Sequence, residues 1–496
     1  MGEYAEALKS GLCDRCLGRQ FSKTFRTAFK KAGNLPDLSL KDMSASRGAL
    51  PKKKNGLTKL SPVLVSLSES VEINGNSRGI FAKQKGLRIS DFPGDFSYKE
   101  KGLGGPKVAF LPRDFSLCEK GLSNEEIGKR IREKSSEKPR GVGCAYCGSV
   151  FRDLPALIEK ALKEIRGREY ETFWCGAHLP PEISSNEEKL WEKLGVESCE
   201  PIKRDILKET GETIEKKTGK VARLENPDVY LLFDFTKEKV LVTISSLFIY
   251  GRYDKLVRGI PQTKWFCVRC RGAGCTHCGG KGKMYEESVE ELIAKIILER
   301  TGGKSTKFHG LGREDIDARC VGKRPFVIEV LDPVKRNMDF EKLAEEINEH
   351  AKDKVMVYGL RNSTMEEVRL IKNLKPSKTY RAIIISEGEV TKEDIKKIEG
   401  IAGKVIAQRT PTRVAHRRAD LVRKREVLRL KVLEAKGKEI TVEIEAEAGT
   451  YIKELISGDS GRTKPSFSEL TGKKMECKEL DVTEIAEEPS LINNKK

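Results

Sequence analysis

The chain has 496 residues, with 94 Lys+Arg against 75 Asp+Glu and a formal net charge of +19. At roughly 100–200 residues per domain this length predicts several domains with buried cores, and the positive excess points to a polyanion, either nucleic acid or an anionic membrane surface. No apolar run approaches the roughly 18 residues of a spanning helix, and the start MGEYAEALKSGLCDRC carries neither a secretory signal nor a myristoylation site, so a soluble cytoplasmic protein without membrane attachment is expected.

In chain order, the first thirty residues read as helix and carry the pair Cys13/Cys16. Residues 34–120 are rich in Ser, Gly and Lys, with segments such as PKKKNG and KEKGLGGPK, and read as loop or disorder. LSNEEIGKRIREK has helical spacing. A second pair, Cys144/Cys147, precedes a helix with Leu157, Ile158, Leu162 and Ile165 on one face. Residues 170–250 alternate strands and helices, and DVYLLFDF and KVLVTISS around a TKE turn predict a hairpin. After a cysteine cluster, SVEELIAKIILER reads as an amphipathic helix with a capping box of Ser288 and Glu291. The last 200 residues mix strands (PFVIEV, KVMVYGL, YRAIIIS, EVLRLKVLEA, EITVEIEAEAG) with helices (MDFEKLAEEINEHAK, KEDIKKIEG). That pattern predicts an α+β domain on an antiparallel or mixed sheet.

Thirteen cysteines is an odd number in a chain without an export signal, so metal binding is a better reading than a disulfide framework. Cys267, Cys270, Cys275 and Cys278 follow a C-x2-C-x4-C-x2-C pattern, which lets one short segment offer four thiolates to a tetrahedral zinc. His277 lies inside the motif but the four cysteines already complete the shell. Cys13/Cys16 and Cys144/Cys147 read as halves of a second, shared structural zinc, against the alternative of two unrelated pairs. Cys118, Cys175, Cys199, Cys320 and Cys477 read as small buried apolar residues.

Two short segments hold most of the excess charge. Gly251 to Lys283 has eight Lys/Arg and one Asp, and 408–425 has seven Lys/Arg and one Asp. Such arginine-rich runs suit phosphate contact, and recognition of a folded RNA by shape and backbone fits better than stacking along a single strand. Several chemical motifs fail. GGKSTK at 302–307 ends like a phosphate-binding loop, but Leu298 stands where that loop needs glycine. No H-E-x-x-H or G-x-G-x-x-G motif is present, so no organic cofactor is expected. What remains is FHGLGREDIDARCVGKRPFVIEV, a loop of glycines and charges before a strong strand. An aspartate held ionised there by arginines suits a carboxylate nucleophile or base, while structural salt bridges would produce the same pattern.

GREDIDAR, followed by a glycine and RPFVIEV, resembles the active-site motif of archaeal-type tRNA pseudouridine synthases that act on the T-loop at tRNA positions 54 and 55. The resemblance extends through CDRCLGRQF, LSNEEIGKRI, GRYDKLVRGIPQTKW, YRAIIIS, QRTPTRVAHRRADLVRKR and AGTYIKELISGDSGRTKPS. It implies an N-terminal zinc-bearing region with a THUMP-type RNA-binding domain and a C-terminal catalytic domain. It also implies Asp315 as the nucleophile, with Asp317 the lower-ranked competitor. Tyr380 and Tyr451 match uridine-contacting tyrosines, and Lys453 matches the basic partner of the aspartate. Arg313 and Arg462 are implied as local phosphate or carboxylate partners. The departure is 34–120, which does not resemble the family and reads as an insertion.

The expectation is therefore a multidomain α+β tRNA-modifying isomerase. Its divisions are a zinc-bearing region over 1–165, a THUMP-type domain over 166–256, a four-cysteine zinc element over 257–284 and the catalytic domain over 285–496. It would hold two structural zinc ions, bind tRNA at the T-loop and elbow, and need no obligatory protein partner. The competing readings are a zinc-stabilised RNA-binding protein without chemistry, which leaves GREDID and GTYIK unexplained, and another THUMP-bearing enzyme, which needs a nucleotide loop not found here.

Overall fold

The computed structural model describes residues 7, 12–22, 122–135, 144, 146–148, 150–194 and 199–486; the 34–120 stretch lies outside them. Two compact units result, 1–166 with 172–243, and 167–171 with 244–496.

In the first unit, a helical stretch over 14–22 is followed by α1 (Asn124–Ser135) and α2 (Val150–Glu164). Then come β1 (Thr172–His178), α3 (Pro181–Leu194), α4 (Ile202–Thr218), β2 (Val221–Ala222), β3 (Val229–Asp234) and β4 (Lys239–Ile244). The sheet order is β2-β1-β3-β4, with β1 parallel to both of its neighbours. β3 and β4 lie side by side, as the hairpin reading expects. Ser123 caps α1 in a full capping box, accepting from the Glu126 amide at 3.2 Å while its own amide donates to the Glu126 carboxylate at 2.7 Å.

The motifs CDRCLGRQF and LSNEEIGKRI dock on one another through two glycines. A Cβ on Gly18 would stand 1.7 Å from the Asn124 carbonyl oxygen, and one on Gly128 would stand 1.7 Å from that of Asp14. The two helical backbones touch, and no larger residue fits at either crossing. Arg132 locks the crossing by donating to Asp14 Oδ1 at 2.6 Å and to the Leu12 carbonyl at 2.8 Å. Arg15 pairs with Asp205 at 2.9 Å and lies 3.8 Å over the Phe151 ring, and the buried Arg19 pairs with Glu187. The charged residues of this motif are thus used inside the unit.

The second unit is built on a ten-stranded sheet. Its elements are β5 (Leu247–Lys255), α5 (Val289–Thr301), β6 (Ser305–Gly310), β7 (Arg319–Leu331), α6 (Phe340–His350), β8 (Val355–Ser363), α7 (Met365–Asn373), β9 (Lys378–Ser386), α8 (Lys392–Glu399), β10 (Lys404–Arg409), β11 (Val422–Lys436), β12 (Glu439–Ala446), α9 (Ile452–Ser457), β13 (Thr463–Lys464), α10 (Phe467–Thr471) and β14 (Met475–Ile485). The order is β13-β10-β11-β12-β9-β14-β7-β5-β8, with β6 also on β7. All pairings are antiparallel except β14 with β7, which run parallel through Asp481↔Arg319 and Val482↔Cys320.

Each half has its own core. Ile293 and Ile297 of α5 and Ile347 of α6 pack on Ile249, Phe326, Ile328 and Val330. Ile398 of α8 and Leu455 and Ile456 of α9 pack on Ile384, Ile406, Val442 and Ile444. Full burial of such a side chain contributes roughly 1.5–3 kcal/mol. At Ser288 the structure differs in detail from the capping box read in the sequence. The hydroxyl accepts from the Glu291 amide at 3.2 Å, but the Glu291 carboxylate is bound by that hydroxyl at 2.8 Å and not by the Ser288 amide. Gly302 closes α5 in the left-handed region, so GGKSTK is a helix end running into β6.

Candidate active site and metal clusters

The GREDIDAR loop joins β6 to β7 and rests on a buried polar floor. Lys255, fully buried at the end of β5, donates to the carbonyls of Ile260 at 3.1 Å, Asp315 at 3.0 Å and Ile316 at 3.2 Å. Gln262 donates to the Gly312 carbonyl at 3.0 Å and to the Tyr253 hydroxyl at 2.8 Å. Tyr253 in turn donates to the Glu314 carboxylate at 3.2 Å. Arg324 donates to the Leu311 carbonyl at 2.8 Å, and its Nε lies 3.0 Å from Glu314 Oε2. GRYDKLVRGIPQTKW is thus the support of the GRED loop. Glu314 turns inward and Asp315 is left half-buried with its carboxylate toward the surface.

Around Asp315 the charges alternate. Arg413 holds the carboxylate with both terminal nitrogens, at 3.2 and 3.1 Å, while its Nε donates to Glu454 at 2.7 Å. Lys453 lies 3.9 Å from Asp315 and donates to Asp317 at 2.5 Å. The nearest cation to Asp315 is therefore Arg413, and Lys453 is shared between two carboxylates. Burial pushes the Asp317 carboxyl up, but the bond and charge of Lys453 more than reverse this and leave it below its ordinary value. Burial opposes the charge on Arg413, yet Glu454 and Asp315 raise its pKa well above the usual value.

Tyr380 sits on β9, opposite Ile444 and Val482. Burial pushes its phenol up to about 12, with the Asp315 charge adding a smaller push the same way. Tyr451 opens α9 and is held through its backbone. Its amide donates to Gln408 Oε1 and its carbonyl accepts from Gln408 Nε2, both at 2.9 Å, while its hydroxyl lies 3.1 Å from Arg418 Nη1. Arg313 is exposed and makes no ion pair among the described residues. Arg462 does not approach Asp315; it donates to the Thr410 carbonyl at 2.6 Å and to Asp420 at 2.8 Å, fastening the arginine-rich segment.

Lys378, two residues before Tyr380, is 9% exposed, and its ammonium has no hydrogen-bond or ion-pair partner among the described residues. Its Nζ stands 3.6 Å from where a Cβ on Gly312 would be. Burial pushes the ammonium down to about 8 from 10.5, and the Arg324 charge adds to it. A lowered lysine pKa means that the folded state is penalised while the group is charged. Stability is thus gained as pH rises from about 8 to about 10.5. Lys378→Met is expected to be more stable than the parent by roughly 3 kcal/mol at pH 7. Denaturant midpoints at pH 7 and above pH 10 check this: the difference should shrink at the higher pH, and an equal difference at both would sink the explanation.

The two cysteine pairs separated by more than a hundred residues meet. Cys13 and Cys147 are 3.8 Å apart and Cys16 and Cys144 3.7 Å, with all four sulfurs within 4.8 Å. The local set of Cys267, Cys270, Cys275 and Cys278 shows 3.8 Å spacings. Four thiolates about 2.3 Å from one tetrahedral ion stand about 3.8 Å apart, so both sets fit a metal. His277 is exposed and belongs to neither set. Cys175 and Cys320 are buried as expected, whereas Cys199 and Cys477 are only half-buried; Cys118 lies outside the described residues.

Several site residues were not singled out from the sequence: Arg413, Glu454, Lys255, Gln262, Arg324 and Gln408. Each lies inside or beside a segment that carries the resemblance. Some of their contacts span long stretches of chain, 43 positions for Gln408 with Tyr451 and 98 for Arg413 with Asp315, and others are as short as the 13 positions between Arg324 and Leu311, so no single local spacing reveals them.

Residues 157–234 match the family profile described as Pus10 THUMP domain, archaeal, and residues 248–486 match the one described as Pus10, C-terminal. The tRNA pseudouridine synthase Pus10 of Methanopyrus kandleri is 42% identical over 360 residues, covering 71% of this chain and 82% of the relative. That of Methanothermobacter marburgensis is 43% identical over 370 residues, covering 73% and 91%. A solved Cbf5-Nop10-Gar1 complex matches 40% of this chain and 45% of the other at 21% identity and a TM-score of 0.26. Given two domain profiles in chain order and relatives matched over most of their length, this chain belongs to the Pus10 family of tRNA pseudouridine synthases.

Proposed function

We propose that this isomerase converts uridine 54, uridine 55 or both in the T-loop of tRNA to pseudouridine, with Asp315 as the nucleophile. The observation that carries the residue assignment is the placement of the Asp315 carboxylate. It stands on a loop whose carbonyls are held by Lys255, Gln262 and Arg324, and it faces Arg413 and Lys453. Pseudouridine is an isomer of uridine. The N1–C1′ bond breaks, the base turns, C5 bonds to C1′, and the proton lost from C5 balances the one gained at N1. No electrons enter or leave. The Asp315 carboxylate serves the ribose either by attack at C1′ or by taking a proton from it, with Arg413 and Lys453 as the cations that face it. The target must leave its stack, and Tyr380 and Tyr451 are proposed to receive the uracil. Tyr380, with a phenol pushed up to about 12, offers a ring and an O–H donor and not a phenolate. Arg313 and the fastened segment around Arg462 would meet the RNA backbone.

The same reading divides the chain into a zinc-bearing region over 1–165, a THUMP-type domain over 166–256, a four-cysteine zinc element over 257–284 and a catalytic domain over 285–496, working in the cytoplasm. The ions in the two four-cysteine sets are proposed to be structural zinc, since four thiolates leave no open position. Elemental analysis of the full chain should give two zinc ions, falling to one in Cys16→Ser and to one in Cys270→Ser. Retention of both ions in either variant would remove that cluster as a site. The function itself is tested by incubating the chain with an unmodified tRNA transcript and mapping pseudouridine; product at neither position 54 nor 55 would overturn it.

A further inference from the structure

We propose that the four-cysteine element over Cys267–Cys278 is a docking knob for an unpaired base of the tRNA, with Phe266 as the stacking surface. This rests on tRNA being the substrate and goes beyond it by assigning the contact. Among the described residues the most exposed large apolar side chain is Val268, at 75%, and Phe266, two residues before it, is 57% exposed. Phe266 is the only aromatic ring among the exposed large apolar residues described. Its orientation is fixed from behind: a Cβ on Gly272 would come within 3.2 Å of the ring, so the glycine backbone lies against one side. The four sulfurs staple the segment, and Phe266 is bridged to Lys283.

The charges around the ring are unbalanced. Lys264 Nζ stands 5.2 Å from the ring centroid, and Arg269 and Arg271 are exposed without an ion pair among the described residues. Lys281 and Lys283 are already taken by Glu286 and Glu291. An exposed ring backed by glycine backbone, with Lys264 over it and two exposed arginines without ion pairs beside it among the described residues, matches an unstacked base with phosphates on either side. An apolar protein surface would need the ring and Val268 but would gain nothing from the cations. A nucleic-acid loop uses both.

The test measures binding of an unmodified tRNA transcript to the full chain. Phe266→Ala should raise Kd about tenfold, as expected for one lost stacked base. Arg269→Gln combined with Arg271→Gln should lower the slope of log Kd against log salt by about 1.5 to 2. Both variants should keep the parent's metal content, and their turnover at saturating tRNA should match the parent within about twofold. The arginine pair is exposed, so it remains informative if Phe266→Ala misfolds. Unchanged Kd and salt slope in folded variants would overturn the proposal. So would a loss of self-association on Phe266→Ala with Kd intact, which would make the knob an interface between copies. A parent chain that binds tRNA through this knob yet forms no pseudouridine would sink the catalytic reading and leave this one standing.

Discussion

Asp315→Ala is expected to stop pseudouridine formation, with turnover falling about ten-thousand-fold or more, while tRNA binding stays within about threefold of the parent. Binding should persist because the loop is held by its carbonyls and by Glu314, not by the Asp315 side chain. Asp315→Asn keeps the shape and removes the charge, so it separates the carboxylate chemistry from packing. Asp317 supplies the contrast. It is 66% exposed and bonded to Lys453, so Asp317→Ala should leave measurable turnover and lower it about tenfold by freeing Lys453 to close on Asp315. In a Lys453→Met background the same substitution should do little more. An active Asp315 variant beside a dead Asp317 variant would reverse the assignment.

The legible part of this protein was the part written locally. Four cysteines within twelve positions declare their own site, and GREDIDAR stands directly before a run of buried strand residues. The meeting of Cys13/Cys16 with Cys144/Cys147 joins positions 128 to 134 apart, which spacing does not read out, and the close helix crossing at Gly18 and Gly128 is likewise visible only in the packed structure. Arg413 shows the limit most clearly. In the sequence it is one of seven cations in a charged run, and a reading by charge assigns the run to phosphate. Folding turns this one guanidinium back onto Asp315 and Glu454. Arg462 goes the other way, since its partners turn out to be Thr410 and Asp420. Charge density identifies the kind of ligand, but which arginine faces the reaction is set by tertiary contacts.

The largest loss of stability is expected at Arg324→Met. Arg324 is 1% exposed and its partner Glu314 has a fully buried side chain. Methionine fills much of the space but leaves the carboxylate beside Tyr253 with only Lys255, at 3.9 Å, to answer its charge. Breaking such a pair typically costs about 3–5 kcal/mol, which in a unit of this size lowers Tm by about 6–20 °C. Thermal unfolding of the full chain measures it, and a change below about 2 °C would show that the pair is not needed to neutralise the floor. Activity should fall further than the folded fraction accounts for. The Leu311 carbonyl loses its donor at the same time, so the loop carrying Asp315 is released at one end. Glu314→Gln separates the two effects: it removes the buried charge and retains a polar partner for Tyr253. If Arg324→Met/Glu314→Gln recovers Tm but not turnover, the buried pair acts on catalysis by holding the loop, and its contribution to stability is distinct from its contribution to the reaction.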